Sequence, residues 1–264
     1  MRRIGFGALR ITGPGCKGPP EEPAAAKALL RRVVELGINL IDTADSYGPE
    51  VSENLIAEAL HPYPESLVIA TKGGLLGPRP VDARPERLKE CCEASLRRLR
   101  LERIDLYQLH APDPRVPLED SLGALAELQR EGKVRHIGIS NVSLDQLELT
   151  RGLIEVVSVQ NRYSLAERQY SEAVLEACER DGIAFMPWFP LGDGSLASRG
   201  GPLERIARTH GATPAQVALA WLLRHSPVIV PIPGTSSVEH LKENLAAGEV
   251  ALHAEEMELL GQGA

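Results

Sequence analysis

Short apolar runs alternate with amphipathic stretches from one end of the chain to the other. The runs predict strands at Ile4–Leu9, Asn39–Ala44, Leu67–Lys72 and Ile104–His110, then at Val134–Ser140, Val156–Gln160, Ile183–Trp188 and Val228–Ile232. Most are apolar throughout and do not alternate, as expected of strands covered on both faces of a parallel sheet. Between them, apolar positions at helical spacing predict helices over Pro23–Leu36, Ser52–Leu60, Pro85–Arg100, Leu118–Glu131, Leu144–Thr150 and Glu172–Arg180. Further helices are predicted at Pro202–Thr209, Pro214–Leu223, Val238–Ala247 and Glu255–Leu260, and proline opens several of the set.

Eight strands with eight βα connections predict an α/β fold, a closed (β/α)8 barrel of the TIM type, as one domain over residues 1–264. The rival is an open doubly wound sheet, whose dinucleotide fingerprint is G-x-G-x-x-G after the first strand. Gly5-Phe6-Gly7 is followed by no third glycine at that spacing and opens no helix, which favours the barrel.

Composition narrows the function. The chain has 264 residues, 43% hydrophobic and 25% charged, with a net charge of −7 from 36 acidic and 29 basic residues. That balance argues against a nucleic-acid or anionic-membrane partner. The basic stretch Arg97-Arg98-Leu99-Arg100 reads as the solvated face of a helix. Cys16, Cys91, Cys92 and Cys178 have no metal-ligand spacing and read as free thiols in a reducing cytoplasm. No apolar run reaches the roughly 18 residues of a membrane span. A cytoplasmic protein, monomeric or weakly oligomeric, is expected.

Three predicted strands end in polar groups, Asp42, Lys72 and His110, and Tyr47 lies just past the first of these three. In a closed barrel the C-terminal strand ends share one mouth, so these four are candidates for one cluster. Their chemistry is complementary. Tyrosine, with a reference pKa near about 10, is a weak acid, and a neighbouring ammonium such as Lys72 lowers that value. Asp42 would keep Lys72 charged and oriented, and a neutral His110 could donate to a substrate carbonyl.

The run Gly37-Ile38-Asn39-Leu40-Ile41-Asp42-Thr43-Ala44-Asp45-Ser46-Tyr47-Gly48-Pro49-Glu50 resembles the G-x-N-x-x-D-T-A-x-x-Y-G-x-E signature of the aldo-keto reductases. Ile104–His110, Gly138-Ile139-Ser140-Asn141, Gln160-Asn161 and Pro233 through Asn244 also resemble that family, in the same order. The resemblance implies a barrel enzyme that binds NADP(H) across its mouth and reduces a small-molecule aldehyde or ketone. It implies Tyr47 as general acid, Lys72 and Asp42 as its modulating pair, and His110 as the group that positions the carbonyl. Ser140, Asn141 and Gln160 match positions that hold the nicotinamide carboxamide, and Trp188 stands where a ring-stacking tyrosine is usual. Leu191, Gly192 and Gly194 match a pyrophosphate-contacting segment. Thr235, Ser236, Ser237, His240, Glu243 and Asn244 match the adenosine-phosphate site.

Two positions depart from the pattern. Many relatives carry lysine where this chain has Gly234 and arginine where it has His240, both on the cofactor's 2′-phosphate. His240 offers a grip whose charge depends on pH, so NADP(H) is expected with NAD(H) as a possible substitute. The short segment Ala111–Pro117 implies an open pocket of low selectivity. Other readings are a cofactor-binding sensor that hardly turns over, which four retained catalytic groups argue against, and a phosphate-handling barrel isomerase or lyase.

Overall fold

Parallel pairing runs in sequence order through seven strands: β1 (Phe6–Gly7), β2 (Leu40–Asp42), β3 (Val68–Gly73), β4 (Ile104–Leu109), β5 (Val134–Ser140), β6 (Ser158–Gln160) and β7 (Ala184–Phe185). The computed structural model describes residues 3–75, 80–192, 196 and 201–262. The eighth predicted strand closes the ring. Val230 N–H donates to Phe185 O at 2.8 Å and Phe185 N–H to Val228 O at 2.9 Å on one side. On the other side Gly5 N–H donates to Pro231 O at 3.0 Å and Gly7 N–H to Pro233 O at 3.3 Å. Pro231 and Pro233 have no N–H to return, so this segment seals the barrel without a regular ladder. The first strand is shorter than predicted, because the chain turns into a 3₁₀ segment at Ala8–Ile11.

The helices are α1 (Pro23–Glu35), α2 (Val51–Leu60), α3 (Pro85–Leu99), α4 (Leu118–Arg130), α5 (Leu144–Leu153) and α6 (Glu172–Asp181). They continue as α7 (Pro202–Thr209), α8 (Pro214–His225), α9 (Val238–Ala246) and α10 (Ala254–Gln262). Proline stands in the first turn of α1, α3, α7 and α8, where its missing N–H costs nothing. Capping boxes open α5 (Ser143 with Gln146) and α8 (Thr213 with Gln216). The whole is a (β/α)8 barrel.

Strand periodicity sorts the residues into two cores. Leu40, Ala70, Leu106, Met186, Val230 and Ile232 pack together inside the ring. The alternate positions Ile41 and Ile69, and Tyr107, Ile137, Val159 and Phe185, pack beneath the helices. Two residues further along β2, β3 and β4 the inward stripe turns polar, at Asp42, Lys72 and Gln108. That change of character marks the mouth.

One expectation is corrected. Arg98 does not belong to a solvated face: its side chain is only 13% exposed, and its Nε donates to Glu53 Oε2 at 2.6 Å. Glu53 is fully buried between α2 and α3, so its carboxylate requires a cation, and Arg98 supplies it. All four cysteines are free. Among the described residues no helix is long and apolar enough to cross a membrane.

Candidate active site

Lys72 organises the mouth. Its side chain is fully buried, and its ammonium donates to Asp42 Oδ2 at 2.7 Å, to Thr43 O at 2.8 Å and to Tyr47 Oη at 3.0 Å. An ammonium has three hydrogens and no lone pair, so in this geometry the tyrosine oxygen is the acceptor. The Tyr47 proton therefore points away from Lys72. Asp42 Oδ1 accepts two further bonds, from Gln160 Nε2 at 2.8 Å and Gln108 Nε2 at 3.2 Å. A buried carboxylate with one cation and two amide donors is fully compensated.

The electrostatics differ in one respect from the expected lowering of the tyrosine pKa. Burial of the Tyr47 phenol pushes it above its ordinary value, and the opposing pull of Lys72 is the smaller effect. Tyr47 thus keeps its proton at neutral pH. Burial works against a charge on Lys72, but Asp42 and Tyr47 outweigh it and hold the lysine above its ordinary value. Burial, and secondarily Lys72, lowers His110 to about 3, leaving a neutral imidazole. Its Nδ1 lies 3.4 Å from Ser46 Oγ, and its ring meets Tyr47 edge-on with centroids 6.0 Å apart. A Ser46 hydroxyl donating to Nδ1 leaves the imidazole proton on Nε2.

Gln108 was not singled out from the sequence. It faces inward in step with Leu106 and His110, and that period-two spacing is the signal that could have found it. Its reach to Asp42 depends on Gly138, which pairs with Gln108 on β4 and with Ser158 on β6. A Cβ there would stand 2.3 Å from Ser158 Oγ and 2.9 Å from Gln108 Cγ. Behind the mouth lies a second buried set. Asp45 accepts from the Cys91 thiol, while its Oδ1 is buried with no hydrogen-bond partner among the described residues. Burial raises Asp45 to about 6.

A cavity of about 680 Å³ opens over these groups. Asp42, Tyr47 and His110 lie at one part of its wall, with Ser140, Asn141, Gln160, Trp188 and Leu191 beside them. Thr235, Ser236, His240, Glu243 and Asn244 line the rest together with Arg10 and Gly234. Ser237 has a different role from its neighbours: it is the N-cap of α9, its Oγ accepting from His240 N–H at 3.3 Å. Gly192 has φ +57° and turns the chain back, its N–H donating to Phe189 O at 2.9 Å. Gly194 lies outside the described residues.

The amide groups are already engaged. Asn141 Nδ2 donates to His110 O at 2.9 Å and to Ser140 Oγ at 3.1 Å, while its Oδ1 accepts from the Trp188 indole at 3.0 Å. Ser140 Oγ donates to Gln160 O at 2.7 Å. Tryptophan, unlike the tyrosine usual there, brings an N–H that fixes Asn141. Arg162 lies 5.3 Å from the Trp188 ring centroid, within cation–π range.

Comparison with known proteins agrees with this geometry. The model of the Aldo/keto reductase family matches residues 3–262. An uncharacterized oxidoreductase of Schizosaccharomyces pombe is 47% identical over 97% of this chain and 84% of its own length. Pyridoxine 4-dehydrogenase of Escherichia coli is 43% identical over 98% of this chain and 94% of its own. A thermostable aldo-keto reductase solved with the inhibitor epalrestat superposes with a TM-score of 0.90 at 35% identity, over 99% of this chain and 95% of that one. An aldo-keto reductase from Klebsiella pneumoniae solved with NADPH gives 0.86 at 27% identity, over 98% and 90%. With a barrel mouth of this make-up and matches along nearly its full length, the chain belongs to the aldo/keto reductase family, whose members are oxidoreductases.

Proposed function

We propose that the protein is an NADP(H)-dependent reductase of aldehydes and ketones, with Tyr47 as the proton donor. The observation that carries this reading is the Lys72 ammonium donating to the Tyr47 oxygen at 3.0 Å. It leaves the phenol proton directed at whatever occupies the cavity.

The residues present fit a nicotinamide cofactor. Gln160 uses its amide nitrogen on Asp42, so its carbonyl oxygen is the acceptor it offers to a carboxamide N–H. Trp188 would give one ring face to the nicotinamide, and Leu191 and Gly192 would border the pyrophosphate. Thr235, Ser236, Glu243 and Asn244 would border the adenosine half. When bound, the nicotinamide supplies a hydride to the carbonyl carbon.

The chain's own residues do the rest. Neutral His110 donates from Nε2 to the carbonyl oxygen and fixes its position. Tyr47 gives its proton to that oxygen as negative charge develops there. Lys72, held by Asp42, stabilises the phenolate that remains, which has no other cation within reach of its oxygen among the described contacts. The proton is then replaced from solvent through the open cavity.

The test is a titration with NADPH and with NADH, followed by a steady-state panel of aldehydes and ketones. Pyridoxal belongs in the panel because a relative that is 43% identical bears the name pyridoxine 4-dehydrogenase. Tyr47→Phe should retain NADPH affinity and lose about 10²- to 10⁴-fold in kcat. Near-normal turnover by that variant would overturn the role of Tyr47. Tight cofactor binding with no turnover of any carbonyl would replace the reductase with a binding barrel.

A further inference from the structure

Gly234 carries no side chain, and the structure gives a reason. A Cβ there would stand 2.8 Å from Gly7 O and 3.3 Å from Arg10 Cγ. The space through which a lysine at 234 would leave the backbone is occupied by the strand end and by the stem of Arg10. Among the described residues lining the cavity, Arg10 is the only lysine or arginine.

We propose that Arg10 holds the 2′-phosphate of the cofactor and sets the preference for NADP(H) over NAD(H), a proposal that rests on the cavity's taking a nicotinamide dinucleotide. Three features support it. Arg10 sits in the 3₁₀ turn Ala8–Ile11 directly after β1. Gly7 N–H donates to Pro233 O at 3.3 Å, so this turn is stitched to the segment that leads into α9 and brings Arg10 beside Gly234. The neighbouring wall carries His240 and the carboxylate of Glu243, and a phosphate brought beside that carboxylate needs a permanent cation there. A guanidinium is permanently charged and its planar fork matches a phosphate in bidentate fashion. Around it the protein carries a net charge of −7, which disfavours a polyanionic ligand unless a local cation offsets it.

The proposal separates two kinds of phosphate. NADPH and NADH share the pyrophosphate and differ at the ribose 2′ position, so a side chain on the 2′-phosphate affects only NADPH. The experiment measures dissociation constants for both cofactors by quenching of intrinsic fluorescence, on wild type, Arg10→Gln and Arg10→Lys. Adenosine 2′,5′-bisphosphate and AMP serve by calorimetry as a second pair of probes. None of these readouts requires turnover. Of the two tryptophans Trp221 is buried, whereas Trp188 lines the cavity and reports occupancy.

The expected result is a roughly 10- to 100-fold loss of NADPH affinity in Arg10→Gln, with NADH changed less than about threefold. Arg10→Lys should recover part of the loss, and raised salt should narrow the gap between wild type and Arg10→Gln. A melting temperature taken for each variant separates a folding defect from the loss of a phosphate contact, and NADH affinity in the same variant serves as the second control. Equal losses for NADPH and NADH would assign Arg10 to the pyrophosphate and overturn the proposal, as would unchanged NADPH affinity. Wild-type protein that binds the two cofactors equally would also overturn it while leaving the dinucleotide reading intact. Failure of wild type to bind either would overturn both.

Discussion

Lys72 bears on stability and on chemistry through the same three hydrogens, and the two can be separated. With Lys72 removed, Asp42 keeps only the amide donors of Gln108 and Gln160 and becomes a buried charge without a counterion. Such losses cost about 3–5 kcal/mol, whereas removing both members of a buried pair costs far less. Lys72→Met should therefore melt well below wild type, and Lys72→Met with Asp42→Asn should recover most of that difference. On the proposed mechanism neither variant should reduce a carbonyl at a useful rate, because Tyr47 would lose the cation beside its oxygen. Thermal melts beside kcat measurements check this. A double variant as unstable as the single one would show that charge compensation is not what Lys72 contributes to the fold.

At the level of strands and helices, the mouth depends on how neighbouring elements are spaced. β5 lets β4 and β6 approach because Gly138 has no side chain between Gln108 and Ser158. Gly138→Ala should cost about 1–3 kcal/mol by overpacking and should pull Gln108 off Asp42, lowering kcat. Adding Ser158→Ala removes the nearer clash and should restore part of the melting temperature. No change in either quantity for Gly138→Ala would mean the strands part without disturbing Asp42. Elements of this kind were largely legible in the sequence. Uninterrupted apolar runs, proline at helix starts and the polar endings Asp42, Lys72 and His110 pointed to the barrel and to one mouth. What escaped depended on contacts between elements far apart in sequence. Glu53 and Arg98 look like helix-surface charges until α2 and α3 pack, and Gln108 looks like an interruption of β4 until Gly138 opens a path to Asp42. The eighth strand was visible as an apolar run, but only the fold shows that Pro231 and Pro233 close the ring through acceptors alone. The tyrosine pKa went the other way from expectation because sequence spacing reports the nearby charge and not the depth of burial.

For the whole molecule, buried groups in the mouth and behind it set how stability varies with pH. His110, at about 3 in the fold against an ordinary 6.5, refuses a proton that the unfolded chain accepts, so stability falls as pH drops through that window. Asp45 acts in the opposite direction. Burial raises its carboxyl from 3.8 to about 6, with Glu53 adding to the rise and Cys91, Arg98 and Arg87 opposing it. Its contribution to stability is complete below 3.8 and is lost as pH rises through about 6. A shift of roughly two units corresponds to about 3 kcal/mol above that window. Asp45→Asn keeps the shape and removes the ionisation. The difference in melting temperature, variant minus wild type, should therefore climb between about pH 4 and pH 6 and stay level above. The Cys91 thiol still finds an oxygen acceptor in the variant, so loss of that bond does not mask the trend. His110 is unchanged in both proteins and cancels from the difference. A difference that stays flat from pH 4 to pH 8 would mean that Asp45 ionises in the fold as it does in the unfolded chain. The barrel would then hold Asp45 as an ordinary carboxylate, and its unpartnered Oδ1 would have found solvent.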